Sequence, residues 1–261
     1  MYRPLLAIDA GNSRLKFGLF VPSRSAFYRR TGTTVSRVVD VSWQAEGAVI
    51  AGSNPQAVER VLSSWHDTGM AEPLVVRERA EIPVSVDVDF PEKVGLDRLL
   101  NAVAANALRP ASRPVIVVDS GTATTVNWIS SAGTFCGGAI LPGLEMSAKA
   151  LNHYTAVLPL LPVQDLGGEL PISPGRNTRE ALRNGLFWGQ VGAIRELVRQ
   201  LCRQPGIREP DFNGDQDSAD SPWMILTGGG GPVLSSQFPG LLLLPSLGMH
   251  GLVLTAWKKG V

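Results

Sequence analysis

The chain has 261 residues, and its 24 Lys and Arg nearly balance 23 Asp and Glu, which leaves no overall field to hold nucleic acid or an anionic membrane. At about 150 residues per domain, this length suggests two units or one large one. His66, His153 and His250 make no metal-ligand spacing, and Cys136 and Cys202 fall far short of a disulfide scaffold. The opening run MYRPLLAIDAGNS meets an Asp too early for a signal peptide. The apolar stretch around Leu241–Leu244 is far below the ~18 residues that a membrane helix needs. A cytoplasmic protein without nucleic-acid or membrane partners is the expectation.

In chain order, Leu5–Ala10 reads as an apolar strand ending in Asp-Ala-Gly-Asn-Ser, a turn signal. Arg14–Phe20 alternates and Ala26–Thr31 follows, so three strands joined by tight turns make a meander. Ala48–Gly52 is a fourth strand. Asn54-Pro55 then opens a helix, Asn as cap and Pro at the first helical position, burying Ala57, Val58, Val61, Leu62 and Trp65. Leu74–Val76 reads as a strand and Leu96–Leu108 as an amphipathic helix.

The pattern then restarts. Pro114–Ser120 is apolar and ends in Asp-Ser-Gly-Thr, as the first strand ended in Asp-Ala-Gly-Asn. Thr124–Ile129 and Gly133–Ile140 supply two more strands. Helices are expected over Leu144–Val157 and Thr178–Arg203, strands over Met224–Thr227 and Leu241–Pro245, and a last helix from Leu247. Two copies of one pattern mean duplicated domains, and the Pro- and Arg-containing stretch Arg109–Arg113 divides them into residues 1–111 and 112–261. Gln204–Pro222, rich in Pro, Gly, Asp and Ser, reads as a loop. Its Asp211, Asn213 and Asp215 imitate a calcium loop, but Gly214 falls at the fourth position and Pro222 stands where the bidentate Glu is needed.

Three segments carry candidate chemistry. In Asp9-Ala10-Gly11-Asn12-Ser13 the Gly allows a turn with N–H groups facing a ligand, Asn and Ser donate to phosphate oxygens, and Asp can hold a hydrated cation. Lys16 adds a point charge for phosphate. An ordinary hairpin uses the same residues. Asp119-Ser120-Gly121-Thr122-Ala123-Thr124-Thr125 repeats the logic at the equivalent place, and two such turns facing each other across a cleft would grip a triphosphate. Neither the P-loop nor the dinucleotide-binding fingerprint occurs. Thr227 to Gly231 forms a further glycine turn, suited to close backbone approach to adenosine. Gly95-Leu96-Asp97-Arg98 opens a helix, where Asp can equally serve only to complement the dipole.

The ordered set DAGNSRLK (Asp9–Lys16), GLDR (Gly95–Arg98), DSGTATT (Asp119–Thr125), GGAILPG (Gly137–Gly143), Asn177-Thr178 and the Gly228 turn resembles type III pantothenate kinases over nearly the whole chain. The resemblance implies an α/β fold of duplicated RNase H-like lobes, as in actin, heat-shock-70 and sugar kinases, with mixed sheets and helices on their faces. It implies a homodimer with its active site between the lobes. Asp9, Ala10, Gly11, Asn12, Ser13, Arg14, Leu15 and Lys16 would line the ATP phosphates with Thr122, and Mg²⁺ would accompany the triphosphate. Gly95, Leu96, Asp97 and Arg98 would bind pantothenate, with Asp97 as proton acceptor and Arg98 suited to the carboxylate. Asp119 would hold potassium or ammonium, and Thr178 would touch pantothenate from the partner subunit. The pattern departs at Val88, where Tyr is common, and at Asn127, where Asp is common. A kinase for another small hydroxyl metabolite and a non-catalytic regulator on the same fold are the alternatives. Retention of Asp9, Asp97 and Asp119 together opposes the regulator.

Overall fold

The computed structural model describes residues 3–11, 15–21, 28–32, 45–172, 174–214, 218 and 220–261. It separates two compact units, Met1–Ser85 with Asp89–Ala107 and Leu247–Val261, and Val86–Val88 with Leu108–Ser246. Asn12, Ser13, Arg14 and Asp215 lie outside the described residues.

The first unit is built on a five-stranded sheet. β1 (Leu5–Ala10) pairs antiparallel with β2 (Leu15–Val21), which pairs with β3 (Tyr28–Gly32). On its other side β1 pairs parallel with β4 (Gly47–Ala51), and β4 with the short β5 (Leu74–Val75). The order is therefore β3-β2-β1-β4-β5. A central strand covered on both faces needs a continuous apolar run, and in β1 only Asp9 escapes full burial. Between β4 and β5 runs α1 (Pro55–Ser63). Its start is fixed by Asn54, whose Oδ1 accepts a bond from the Ala57 N–H at 3.1 Å. Ala57, Val58 and Val61 face the sheet, and Trp65 ties the following turn by donating Nε1–H to the Ala71 carbonyl at 3.0 Å. Next in this unit is α2 (Leu96–Leu108).

The second unit repeats the plan. β6 (Val115–Ser120), β7 (Ala123–Ile129) and β8 (Phe135–Pro142) form the meander. α3 (Leu144–His153) and α4 (Thr178–Leu201) follow. β9 (Trp223–Thr227) runs parallel to β6, and after the one-turn α5 (Gly231–Leu234) comes β10 (Leu242–Leu243) beside β9. Read from β8, the order β8-β7-β6-β9-β10 matches that of the first sheet strand for strand. The duplicated RNase H-like arrangement is present once in each unit. The core of this unit joins Ile116, Val118, Val126 and Trp128 to the inner faces of α3 and α4.

The last helix, α6 (Leu247–Lys258), packs on β1 and β4 of the first unit. The packing therefore does not follow a single cut between residues 111 and 112. The helix closes over the N-terminal sheet because Met249, Leu252, Val253 and Ala256 are buried there. Trp257 donates Nε1–H to the Arg3 carbonyl at 3.1 Å. Gly251 is the contact point with α2, since a Cβ there would collide with the Leu100 carbonyl. α3 stops at His153, four residues before the expected end at Val157. Among the described residues no helix is long and apolar enough to cross a membrane.

Candidate active site

The duplicated registers place two carboxylates at equivalent points, each at the carboxyl end of a central strand. Asp9 on β1 stands opposite Lys16 on β2, and Asp119 on β6 stands opposite Thr125 on β7. Lys16 Nζ lies 2.8 Å from Asp9 Oδ2. The first carboxylate thus carries a built-in cation, while the second faces a hydroxyl side chain. Both side chains of the Asp9–Lys16 pair are partly exposed, at 28% and 44%, so the pair is worth little in stability and is open to a ligand. Ala10, Gly11 and Leu15 flank the turn, while Asn12, Ser13 and Arg14 are outside the described residues.

In the second unit the turn between β6 and β7 is held by backbone on both sides. The Gly230 N–H donates to the Ser120 carbonyl at 2.8 Å, and the Gly143 N–H donates to the Thr122 carbonyl at 3.1 Å. Gly228 takes a φ of 86° in the left-handed region, which suits glycine. A Cβ on it would lie 2.5 Å from Ser120 backbone atoms. At Gly143 a Cβ would collide with the Gly121 carbonyl. The glycine motifs around residues 137–143 and 228–231 therefore let two loops close on the Asp119 turn. Held this way, Gly121 and Thr122 stay exposed while Ser120 and Thr124 are buried. Beside the turn, Asn127 is 1% exposed and donates its Nδ2–H to Thr125 Oγ1 at 2.8 Å.

Gly95, Leu96, Asp97 and Arg98 sit at the start of α2. The Gly95 carbonyl accepts the Arg98 N–H at 3.2 Å, and Asp97 Oδ1 accepts the same N–H at 2.8 Å. The carboxylate of Asp97 folds back over Gly95, where a Cβ would lie 2.5 Å from Oδ1. Glycine at 95 is thus the condition for this carboxylate position. Asp97 itself is exposed, and Arg98 behind it is half-buried. Burial pushes the Arg98 guanidinium pKa down and the neighbouring Asp97 charge partly restores it; an arginine so placed stays protonated at any physiological pH.

Thr178 is exposed at the first position of α4. Asn177 caps the helix by accepting the Glu180 N–H at 3.0 Å, and Glu180 returns by accepting from the Arg176 N–H and from Asn177 Nδ2. Val88 lies beside β8, with its Cγ1 3.6 Å from the place a Cβ on Gly137 would take. Gly137 has a φ of 92°. Among the described residues no group of three or more His, Cys, Asp or Glu could hold a metal ion. Burial pushes the Cys202 thiol up to about 11, which removes it as a nucleophile.

The duplicated fold places an Asp at the end of a central strand in each unit, and a fold of this kind hosts more than one activity. The sequence model described as "Type III pantothenate kinase" matches residues 5–200. A type III pantothenate kinase of Gluconobacter oxydans is 35% identical, over 97% of this chain and 92% of that relative. One of Acidiphilium cryptum is 30% identical, over 97% and 94%. Among solved structures, a Campylobacter jejuni protein described as of the Baf family superposes with a TM-score of 0.59 at 19% identity, covering 98% of each chain. Component A of (R)-2-hydroxyglutaryl-CoA dehydratase from Acidaminococcus fermentans superposes at 0.51 and 14%, again over 98% of each. These two likenesses bear on the fold alone. The chain belongs to the type III pantothenate kinase family.

The Gly95 geometry yields a direct test. Gly95→Ala should turn the Asp97 carboxylate away and lower kcat while leaving the circular dichroism spectrum unchanged. Full turnover in the alanine variant would show that the folded-back carboxylate is not the working one.

Proposed function

We propose that this chain transfers the γ-phosphoryl group of ATP to the primary hydroxyl of pantothenate through Asp97. As a member of its family it phosphorylates pantothenate in coenzyme A biosynthesis; the residue roles are the present reading. The observation that carries it is the exposed Asp97 carboxylate, fixed over Gly95 and backed by a desolvated arginine.

In the proposed step, the hydroxyl oxygen of pantothenate forms a bond to the γ-phosphorus as the bond to the β-bridging oxygen breaks. ADP leaves, and the hydroxyl proton passes to Asp97. Because the transition state is loose, positioning and charge neutralisation supply most of the catalysis. Arg98 pairs with the pantothenate carboxylate through its planar fork, with Gly95 and Leu96 shaping the approach. Asp9, Ala10, Gly11, Asn12, Ser13, Arg14, Leu15 and Lys16 line the phosphates with Thr122. Mg²⁺, when bound with ATP, neutralises the triphosphate charge.

The monovalent cation, potassium or ammonium, is assigned to Asp119. What supports this is the contrast between equivalent positions, for Asp9 has Lys16 opposite it where Asp119 has Thr125. A single carboxylate among hydroxyl and carbonyl oxygens is a hard-oxygen donor set suited to an alkali ion. ADP release should be fast with pantothenate and slow with other small alcohols, and faster in potassium than in sodium at equal ionic strength. Equal rates in both salts would remove the cation from Asp119, and equal rates for all alcohols would remove the substrate assignment.

A homodimer is part of the same proposal, with Thr178 reaching the partner's pantothenate. The small residues on α4 support it, since a Cβ on Gly185, Gly189 or Gly192 would meet nothing within 4 Å among the described residues. The same unit exposes Ile140, Met146, Tyr154, Val157 and Ile172, apolar side chains that a second copy would cover. Light scattering should give twice the chain mass at micromolar concentration, and a monomer would contradict the dimer.

A further inference from the structure

Ser120 and Thr124 stand directly opposite each other across β6 and β7, one on each side of the exposed Gly121–Thr122 turn. Side chains at opposed antiparallel positions lie on one face and close together. Strand alternation puts Ser120 with Ile116 and Val118, and Thr124 with Val126 and Trp128, all in the core of the second unit. Ser120 is 1% exposed and Thr124 0%. Neither hydroxyl has a hydrogen-bond partner among the described residues. Gly230 leaves room for the Ser120 hydroxyl itself, because a Cβ there would collide with Ser120 Oγ.

The duplication supplies a comparison within the molecule. The registers make Ala10 and Leu15 the equivalents of Ser120 and Thr124. In the first unit the same two positions are apolar, and the Lys16–Asp9 ion pair lies next to them. The fold thus accepts an apolar pair at this point, yet the second unit carries two hydroxyls. A third orphan belongs to the same core: Gln190 is 5% exposed on α4, which packs against β7, and its Nε2 has no partner among the described residues. Buried polar groups left without partners are rare in folded proteins and costly. An internal water, which takes two to four polar partners, is the usual way such groups are satisfied.

We propose that Ser120 and Thr124 hold an internal water beneath the Gly121–Thr122 turn and act through it as positioning residues for the ATP phosphates. The inference rests on the ATP role proposed for Thr122. The water links the last residue of β6 to the first buried residue of β7, so the ends of the turn cannot separate. Gly121 and Thr122 are then presented to the phosphates in one conformation. Binding of ATP depends on that, whereas Asp97 and the pantothenate contacts lie elsewhere in the sequence and do not.

Thr124→Val keeps the side-chain shape and removes only the hydroxyl. It should raise the KM for ATP by about 3–10-fold, the range that loss of one hydrogen bond corresponds to. The KM for pantothenate should hold within about twofold, the melting temperature should fall, and Thr124→Ser should restore the ATP value. Ser120→Ala should act in the same direction and serves if the valine variant does not fold. An unchanged ATP KM with a raised melting temperature would overturn the proposal, because replacing an unsatisfied buried hydroxyl by a methyl group is neutral or stabilising. A crystal structure at high resolution without a water within hydrogen-bond distance of both hydroxyls would overturn it as well. Thr122→Ala separates this inference from the reading beneath it. If Thr122→Ala raises the ATP KM and Thr124→Val does not, the water role alone fails; if Thr122→Ala leaves it unchanged, the ATP role of the turn fails and this inference with it.

Discussion

Close backbone approach around the Asp119 turn is the constraint on which the second unit depends. Gly228 and Gly230 come in after β9 and Gly143 after β8, each at a distance that excludes a side chain. The N–H groups of Gly230 and Gly143 hold a turn that is exposed at Gly121 and Thr122 and buried at Ser120 and Thr124. The first unit solves the matching problem with less glycine. There the Asn54 N–H donates to the Ala10 carbonyl at 3.2 Å, and an ion pair crosses from Asp9 to Lys16. One duplicated plan thus carries an Asp–Lys pair in the first unit and an Asp opposite a threonine in the second.

The same divergence bears on chemistry. A phosphoryl transfer needs charge neutralised around the phosphates and a carboxylate near the acceptor hydroxyl, but little covalent participation by the protein. In the function proposed above, Lys16 supplies the fixed positive charge and Asp119 the place of an exchangeable cation, while Asp97 is held by local geometry at a helix start. Each of these side chains sits at the end of a strand or the beginning of a helix. Rigid elements position such sites more sharply than free loops do.

Much of this was legible in the sequence, and the exceptions have identifiable causes. The two meanders and the repeated Asp-x-Gly turns stood out because strands with apolar runs end abruptly in turn residues. The Asn54 and Asn177 caps were readable for the same local reason. The sequence suggests a helix running to Val157, and the structure ends α3 at His153. Pro159 and Pro162 follow too closely, and Tyr154 and Val157 remain 82% and 86% exposed. The one-turn α5 was missed because it begins inside a glycine run, where propensity argues against a helix. That α6 packs on the first sheet could not be read from chain order, for its apolar faces would suit either sheet. Gly95 was read as part of a binding motif, and its second task, making room for the Asp97 carboxylate, needed coordinates. The burial of Ser120 and Thr124 without partners was equally invisible, since serine and threonine in a turn motif suggest exposure.

The central claim is that Asp97 takes the proton of the acceptor hydroxyl, and Asp97→Asn tests it most directly. Asparagine preserves the shape of the helix start but cannot accept that proton. Turnover and melting temperature should be measured on the same purified variant, with ATP binding as a control. General-base assistance is worth about 10²–10⁴-fold, so kcat should fall by that factor while ATP binding persists. If Asp97 served only the helix dipole, its loss would cost about 0.3–1 kcal/mol of stability and leave turnover intact. Full kcat with a lowered melting temperature would contradict the account.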